Sequence, residues 1–334
     1  MRVAFFSTKP YDRRSFTEHN AGFGHELTFL EPRLTLETTR LAEGFPAVCA
    51  FVNDTLDRPV LEALHRAGTR IVALRSTGFN NVDLAAAAAL GMPVVRATTY
   101  SPHSVAEFAV ATLMALNRHL PRAYSRTRDG NFSLDGLLGF DMHGRTIGVV
   151  GTGKIGSLFA RIMRLGFGCE VLARDVQPQA ALQEIGVHYV DMAELAARSD
   201  VISLHCPLTP ETRHIINAET IAQAKPGVLV VNTSRGALVD TRALIRGLKS
   251  GRIGGAALDV YEQEADFFYE DLSNEIISDE VLARLMTFPN VVVTSHQAFF
   301  TREALRDIAT LTLRSLSDFE DGRPLRDEIR PLRG

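Results

Sequence analysis

The sequence predicts a parallel α/β protein built from two doubly wound sheets. Three observations carry this. Short β-rich runs alternate with helical patterns along the whole chain. The length of 334 residues favours two domains. A glycine turn, GTGKIG at residues 151–156, begins only near the midpoint, after a complete first series of strands and helices.

The first series predicts strands at RVAFFST (2–8), HELTFLE (25–31), AVCAFVN (47–53), RIVALRS (70–76) and PVVRAT (93–98). DRPVLEALHRAG and DLAAAAALG read as helices between some of them. From Ser101 a long helix is expected, with Ser101 as cap and Pro102 in the first turn, bent or interrupted at Pro121. TIGVV opens the second series, followed by CEVLARD, VHYV, VISLHCP, VLVVNTS, GGAALDV and NVVVTSH. DMAELAARS and DTRALIRGLKSG read as intervening helices, and TREALRDIATLTLRSLSDFEDG as a closing amphipathic helix.

Composition narrows the function. Apolar residues make up 46% and charged residues 22%, as in ordinary globular enzymes. A net charge of −3 supplies neither a basic field for nucleic acid nor a polybasic membrane arm. No apolar run is long enough to span a bilayer, and the short apolar start MRVAFF reads as a strand rather than a signal peptide. The three cysteines, Cys49, Cys169 and Cys206, are widely spaced, which argues against a disulfide framework or zinc site and fits a reducing cytoplasm.

In GTGKIG, Gly151 suits the tight turn after a strand, Gly153 leaves room for a pyrophosphate beside the backbone, and Gly156 lets helix and strand pack closely. A phosphate there meets free N–H groups at the positive end of a helix. The next strand ends at Asp175, about twenty residues on, where a carboxylate bonds the ribose 2′-hydroxyl of NAD. The same carboxylate repels the 2′-phosphate of NADP, although the neighbouring Arg174 offers that phosphate a partner.

Three further strand ends carry polar groups. VVNTSRG ends in Arg235, GGAALDVYEQE holds Asp259 and Glu264, and VVVTSH ends in His296. Ligands of parallel α/β domains sit at the carboxyl ends of strands. A guanidinium holds a carboxylate bidentately, and an imidazolium fixed by a carboxylate can protonate a ketone oxygen as hydride arrives. The set suits reversible reduction of a 2-keto acid. Simpler roles compete: Glu264 lies in an acidic run with Glu262 and Asp266 that reads as a solvated face, and Cys206 reads as packing rather than nucleophile. Of Phe299 and Phe300, one is expected in the core and one at the pocket wall. The acidic stretch 262–280 lacks a calcium-loop pattern and reads as a solvated loop. His103, His119, His143, His188 and His214 have no catalytic context; His205, beside Cys206, reads equally as a cofactor contact or a buried strand end.

Taken in order, GTGKIG, ARD, HCPLTPET, NTSRGALVD, ALDVYEQE and SHQAFF resemble the D-isomer-specific 2-hydroxyacid dehydrogenase family, most closely its bacterial fermentative lactate-type members. FVNDTLDRPVLE, STGFNNVDL, AYSRTRDGNFSL and FFYEDLSNEIISDEVL extend the likeness over nearly the whole chain. Many family members have proline after the glutamate and before the histidine; here Ala265 and Ser295 stand there, as in the lactate-type subgroup.

The resemblance implies a Rossmann cofactor domain (101–296) inserted into a flavodoxin-like substrate domain (1–100 and 297–334), with a cleft that closes over substrate. It implies NAD as cofactor and pyruvate reduced to D-lactate, Arg235 binding the carboxylate and His296, paired with Glu264, donating the proton. Cofactor contacts are implied for Gly151, Gly153, Ile155, Gly156, Asp175, Cys206, Pro207, Thr212, Thr233, Ser234 and Asp259, and substrate contacts for Thr77, Gly78, Tyr100 and Phe299 beside Arg235 and His296. It further implies a homo-oligomer, dimer or tetramer. Two other readings stand beside it: a dehydrogenase for bulkier 2-keto acids, and a non-catalytic NAD-sensing corepressor.

Overall fold

β-Branched and small apolar residues line the strands of two separate sheets, and among the described residues every pairing of neighbouring strands is parallel. A computed structural model describes residues 1–98, 100–264, 267–269 and 271–330. The chain divides into two compact units, Met1–Ser101 with Phe299–Gly334, and Pro102–Ala298. The second unit thus interrupts the first in sequence.

The outer unit holds β1 (Arg2–Phe5), α1 (Pro10–His19), β2 (Glu26–Phe29), β3 (Ala47–Ala50), α2 (Arg58–Arg66), β4 (Ile71–Leu74), α3 (Leu84–Ala89) and β5 (Val94–Arg96). Its sheet order is β2-β1-β3-β4-β5, the flavodoxin-like order. Strands β3 and β4 are buried on both faces, as expected of central strands in a parallel sheet. Asp57 and Asp83 start α2 and α3 by accepting from Val60 and Ala86 N–H groups. Val60, Leu61 and Leu64 of α2 enter the core with Val48, Val72 and Leu74; each such fully buried aliphatic contributes about 1.5–3 kcal/mol.

The inner unit opens with α4 (Pro102–Asn117). His119 then takes a left-handed backbone (φ 51°), and α5 (Leu120–Arg128) starts with Pro121 in its first turn. The interruption therefore falls just ahead of Pro121, because proline is tolerated where a new helix has no N–H to satisfy. There follow β6 (Thr146–Val150), α6 (Lys154–Arg161), a single π turn (Ile162–Gly166), β7 (Glu170–Arg174), α7 (Ala180–Gln183), β8 (Val187–Tyr189), α8 (Met192–Arg198), β9 (Val201–Leu204), α9 (Ala218–Gln223), β10 (Val228–Asn232), α10 (Thr241–Ser250), β11 (Ile253–Leu258), α11 (Glu280–Met286) and β12 (Val291–Val293). The last helix, α12 (Arg302–Glu320), belongs to the outer unit and is capped by Thr301.

The inner sheet runs β12-β11-β10-β9-β6-β7-β8, the doubly wound dinucleotide-binding order. One face is packed by Ala106, Ala109 and Leu113 of α4 and Phe159 of α6, the other by Leu195 of α8 and Leu244 and Leu248 of α10. Among the described residues no helix is long and apolar enough to cross a membrane, and no cluster of His, Cys, Asp or Glu is arranged to hold a metal ion.

Candidate active site

Strand order decides which side chains can meet. β10, β11 and β12 are adjacent and parallel, so the residues that follow them emerge at one edge. Those residues are Arg235, Asp259 with Glu264, and His296. β9, β6 and β7 continue the same edge with Cys206, the glycine turn and Asp175.

His296 Nδ1 donates to Glu264 Oε1 at 2.8 Å, and the two side chains are 18% and 21% exposed. The second oxygen, Oε2, accepts from the Tyr261 N–H at 2.9 Å. This fixes the ring and leaves Nε2 as the nitrogen with no partner among the described residues. The histidine backbone is left-handed (φ 53°), a costly conformation for a non-glycine residue.

Asp259 holds that turn. Its backbone carbonyl accepts from the His296 N–H at 2.7 Å. Its carboxylate accepts from Thr294 Oγ1 at 2.6 Å and from the Gln297 and Ala298 N–H groups at 2.9 and 2.8 Å. Burial pushes the Asp259 carboxyl up, and these donors offset part of the rise. Its contacts here are with the histidine loop. Tyr269 adds a hydroxyl bond to the His296 carbonyl at 3.3 Å. The roles of Thr294, Tyr261 and Tyr269 had no signal in the sequence, because each depends on loops that meet only in the fold.

Arg235 follows β10 in extended conformation, with Nη1 on the Ser234 carbonyl at 2.7 Å. Asn232 Nδ2 ties the Arg235 carbonyl back to the strand at 2.9 Å. Gly236 is required next: a Cβ there would stand 2.0 Å from the Tyr261 carbonyl carbon. The arginine turn therefore lies directly on the segment that carries Glu264.

The cofactor turn has the shape its glycines promise. Gly151 takes φ 91°, and a Cβ would press on the Cys206 backbone at 2.6 Å. A Cβ on Gly156 would meet the Gly151 carbonyl, whereas the space beside Gly153 is open. The N–H groups of Gly153, Ile155 and Gly156 find no acceptor among the described residues, so they can receive a phosphate. Thr233 Oγ1 is likewise buried without a partner. Ser234 Oγ bonds the Cys206 carbonyl at 2.7 Å, and Thr212 Oγ1 the Pro207 carbonyl at 2.6 Å. These residues fit a dinucleotide. Asp175 sits at the end of β7. Burial opposes its charge, yet donors from Thr152 and Gln177 hold its carboxyl below the usual range. A charged carboxylate there suits a ribose diol and disfavours a 2′-phosphate.

Burial pushes the Cys206 thiol up to about 11, as befits packing rather than nucleophilic duty. The His205 ring packs on Phe159, with Nε2 on Ser203 Oγ at 2.8 Å and Nδ1 buried and unpartnered. Burial drags its pKa down to about 3. The unfolded chain takes up this proton near pH 6.5 and the folded chain does not, so stability is intact above about 6.5 and falls as pH drops toward 3. At pH 5 the loss is about 2 kcal/mol relative to pH 7.5. His205→Gln is expected to lack this component in urea unfolding at the two pH values; an unchanged difference would contradict it.

In the outer unit, the loop after β4 is clamped from several sides. Ser76 Oγ bonds the Gly78 carbonyl, Thr77 Oγ1 the Ala97 carbonyl, and Arg96 Nη1 the Thr77 carbonyl, at 2.8 to 2.9 Å. The N–H groups of Thr77 and Gly78 have no acceptor among the described residues, so they are available to an anion. Tyr100 packs edge-on to Phe299 at 6.2 Å; Phe299 is buried and Phe300 half exposed against Tyr11. Ala265 and Asp266 lie outside the described residues.

A doubly wound sheet, a glycine turn with its acid, and an arginine and a carboxylate-fixed histidine that follow strands of one sheet edge are the features of an NAD-dependent dehydrogenase. Residues 110–298 match the model of the D-isomer specific 2-hydroxyacid dehydrogenase, NAD binding domain. The chain is 52% identical to the D-lactate dehydrogenase of Escherichia coli, covering 98% of this chain and 100% of that one. It is also 52% identical to 2-hydroxyacid dehydrogenase homolog 1 of Schizosaccharomyces pombe, covering 96% of each. A solved structure of the pyruvate reductase of Chlamydomonas reinhardtii superposes with a TM-score of 0.92 at 45% identity, over 98% of both chains. The chain belongs to the D-isomer specific 2-hydroxyacid dehydrogenase family. Its cofactor is NAD.

Proposed function

We propose that this protein is an NAD-dependent D-lactate dehydrogenase, reducing pyruvate to D-lactate reversibly. The observation that carries the reading is the His296–Glu264 pair at 2.8 Å, one loop away from Arg235 on adjacent strands. Bound cofactor supplies the hydride. Arg235 binds the substrate carboxylate, and Thr77 and Gly78 of the outer unit are substrate-binding residues through their N–H groups. His296 Nε2 gives its proton to the carbonyl oxygen, and Glu264 holds the ring in the tautomer and orientation this needs. Asp259 and Thr294 fix the loop so that Nε2 does not wander. Tyr100 and Phe299 line the apolar side of the substrate. Gly151, Gly153, Ile155, Gly156, Asp175, Cys206, Pro207, Thr212, Thr233, Ser234 and Asp259 bind the cofactor. The reading includes a cytoplasmic location, supported by three buried, unpaired cysteines.

It also includes a homo-oligomer. Tyr124, Phe132, Leu134 and Leu138 are 66%, 76%, 82% and 91% exposed within one short segment of the inner unit. Apolar exposure so concentrated marks an interaction surface. Wild type is expected to elute as a dimer or larger in light-scattering chromatography, and Leu134→Asp with Leu138→Asp to shift it toward monomer. A wild-type monomer would contradict this part of the reading.

A further inference from the structure

We propose that Glu262 is a positioning residue that locks together the three loops carrying the catalytic and cofactor groups; this rests on the dehydrogenase reading above. The loops follow β9 (205–217), β10 (233–241) and β11 (259–264). Glu262 lies in the third. Its Oε1 meets His214 Nε2 of the first loop at 2.7 Å. Its Oε2 accepts from both the N–H and the Oγ1 of Thr241, where the second loop enters α10, at 3.0 and 2.7 Å. One carboxylate thus bridges both neighbouring loops with both its oxygens.

Three observations separate this from a surface ion pair, which orders nothing. The Glu262 and His214 side chains are only 23% and 33% exposed. His214 holds a left-handed backbone (φ 52°) and donates its N–H to the Ala237 carbonyl of the second loop at 2.8 Å, so its conformation is set by the same junction. The Gly236 turn rests on the Tyr261–Glu262 backbone with no room for a side chain, and the Tyr261 N–H is the donor that orients Glu264. Freeing Glu262 therefore releases Arg235 on one side and Glu264, with His296, on the other. The first loop also carries Cys206, Pro207 and Thr212, so the cofactor loses its rim as well. The acidic run that reads in sequence as a solvated face is, at this residue, a clamp.

The test compares Glu262→Ala, Glu262→Gln and Thr241→Val with wild type, following kcat and KM for pyruvate and NADH affinity by fluorescence. A displaced catalytic group costs rate steeply, so Glu262→Ala is expected to lower kcat about tenfold or more and weaken NADH at least about threefold. Glu262→Gln can still accept from Thr241 and donate to a neutral His214, and should stay within about threefold of wild type on every parameter. Thr241→Val loses one of the three bonds and should fall between them; it also reads the proposal if Glu262→Ala does not fold. Wild-type kinetics and NADH affinity in folded Glu262→Ala, or in Thr241→Val where Glu262→Ala fails to fold, would overturn the clamp. So would Glu262→Gln as damaged as Glu262→Ala. A wild-type protein that turns over no 2-keto acid would instead end the functional reading, and the NADH measurement would still read the clamp by itself.

Discussion

His296→Asn is expected to lower kcat for pyruvate reduction by about 10²–10⁴-fold, the usual contribution of a positioned general acid. The loss corresponds to about 3–5 kcal/mol of transition-state stabilisation. Asparagine is the substitution of choice because residue 296 has φ 53°, a conformation asparagine tolerates better than alanine. The loop is held mainly through backbone donors to Asp259, which the substitution leaves in place. NADH affinity should therefore stay within about threefold of wild type, and the effect should appear in kcat rather than in cofactor binding. Single-turnover and steady-state kinetics check this together. A variant retaining a fifth or more of wild-type kcat would remove His296 from the proton-donor role.

Arg235→Gln is expected to lower kcat/KM for pyruvate by about 10²–10⁴-fold, with most of the loss in KM and a smaller one in kcat. Two charge-assisted hydrogen bonds to a carboxylate contribute about 1.5–3 kcal/mol each. The guanidinium is already partly buried and its backbone is tied by Asn232, so little ordering remains for binding to accomplish. Lysine offers a point charge without the planar fork, so Arg235→Lys should recover only part of the loss. A neutral substrate analogue lacking the carboxylate should be insensitive to either change. If Arg235→Gln raised KM for that analogue as much as for pyruvate, the residue would be shaping the loop rather than binding the anion.

Periodicity and glycine spacing made the architecture readable. Parallel strands such as AVCA and IVAL are apolar on both faces, and GTGKIG with Asp175 marks a dinucleotide turn by backbone necessity alone. Pro102 and Pro121 announced α4 and α5 for the same reason: proline tolerates few positions. α1 was not legible, because PYDRRSFTEH buries little beyond Asp12, Ser15 and Phe16 and so carries almost no apolar stripe. Arg235, Glu264 and His296 were legible through strand-end position and family motif. What was hidden depends on tertiary convergence. Beyond its expected place near the cofactor, Asp259 bonds Thr294, Gln297 and Ala298; nothing in the order of residues foretells that loop closure. Glu262 and Glu264 are two apart in one acidic run, yet one faces His214 and the other His296. His214 had no sequence context because its partner is distant in the chain.

The most direct measurement of the central claim is NADH oxidation followed by absorbance with pyruvate, 2-ketobutyrate and phenylpyruvate, repeated with NADPH, with chiral analysis of the product. The account predicts turnover with NADH, the highest kcat/KM for pyruvate, a strong disadvantage for NADPH and D-lactate as the product. Absence of turnover with every 2-keto acid, while NADH still binds, would contradict it and favour a cofactor-sensing protein; L-lactate or a clear preference for phenylpyruvate would contradict the assignment of substrate and stereochemistry.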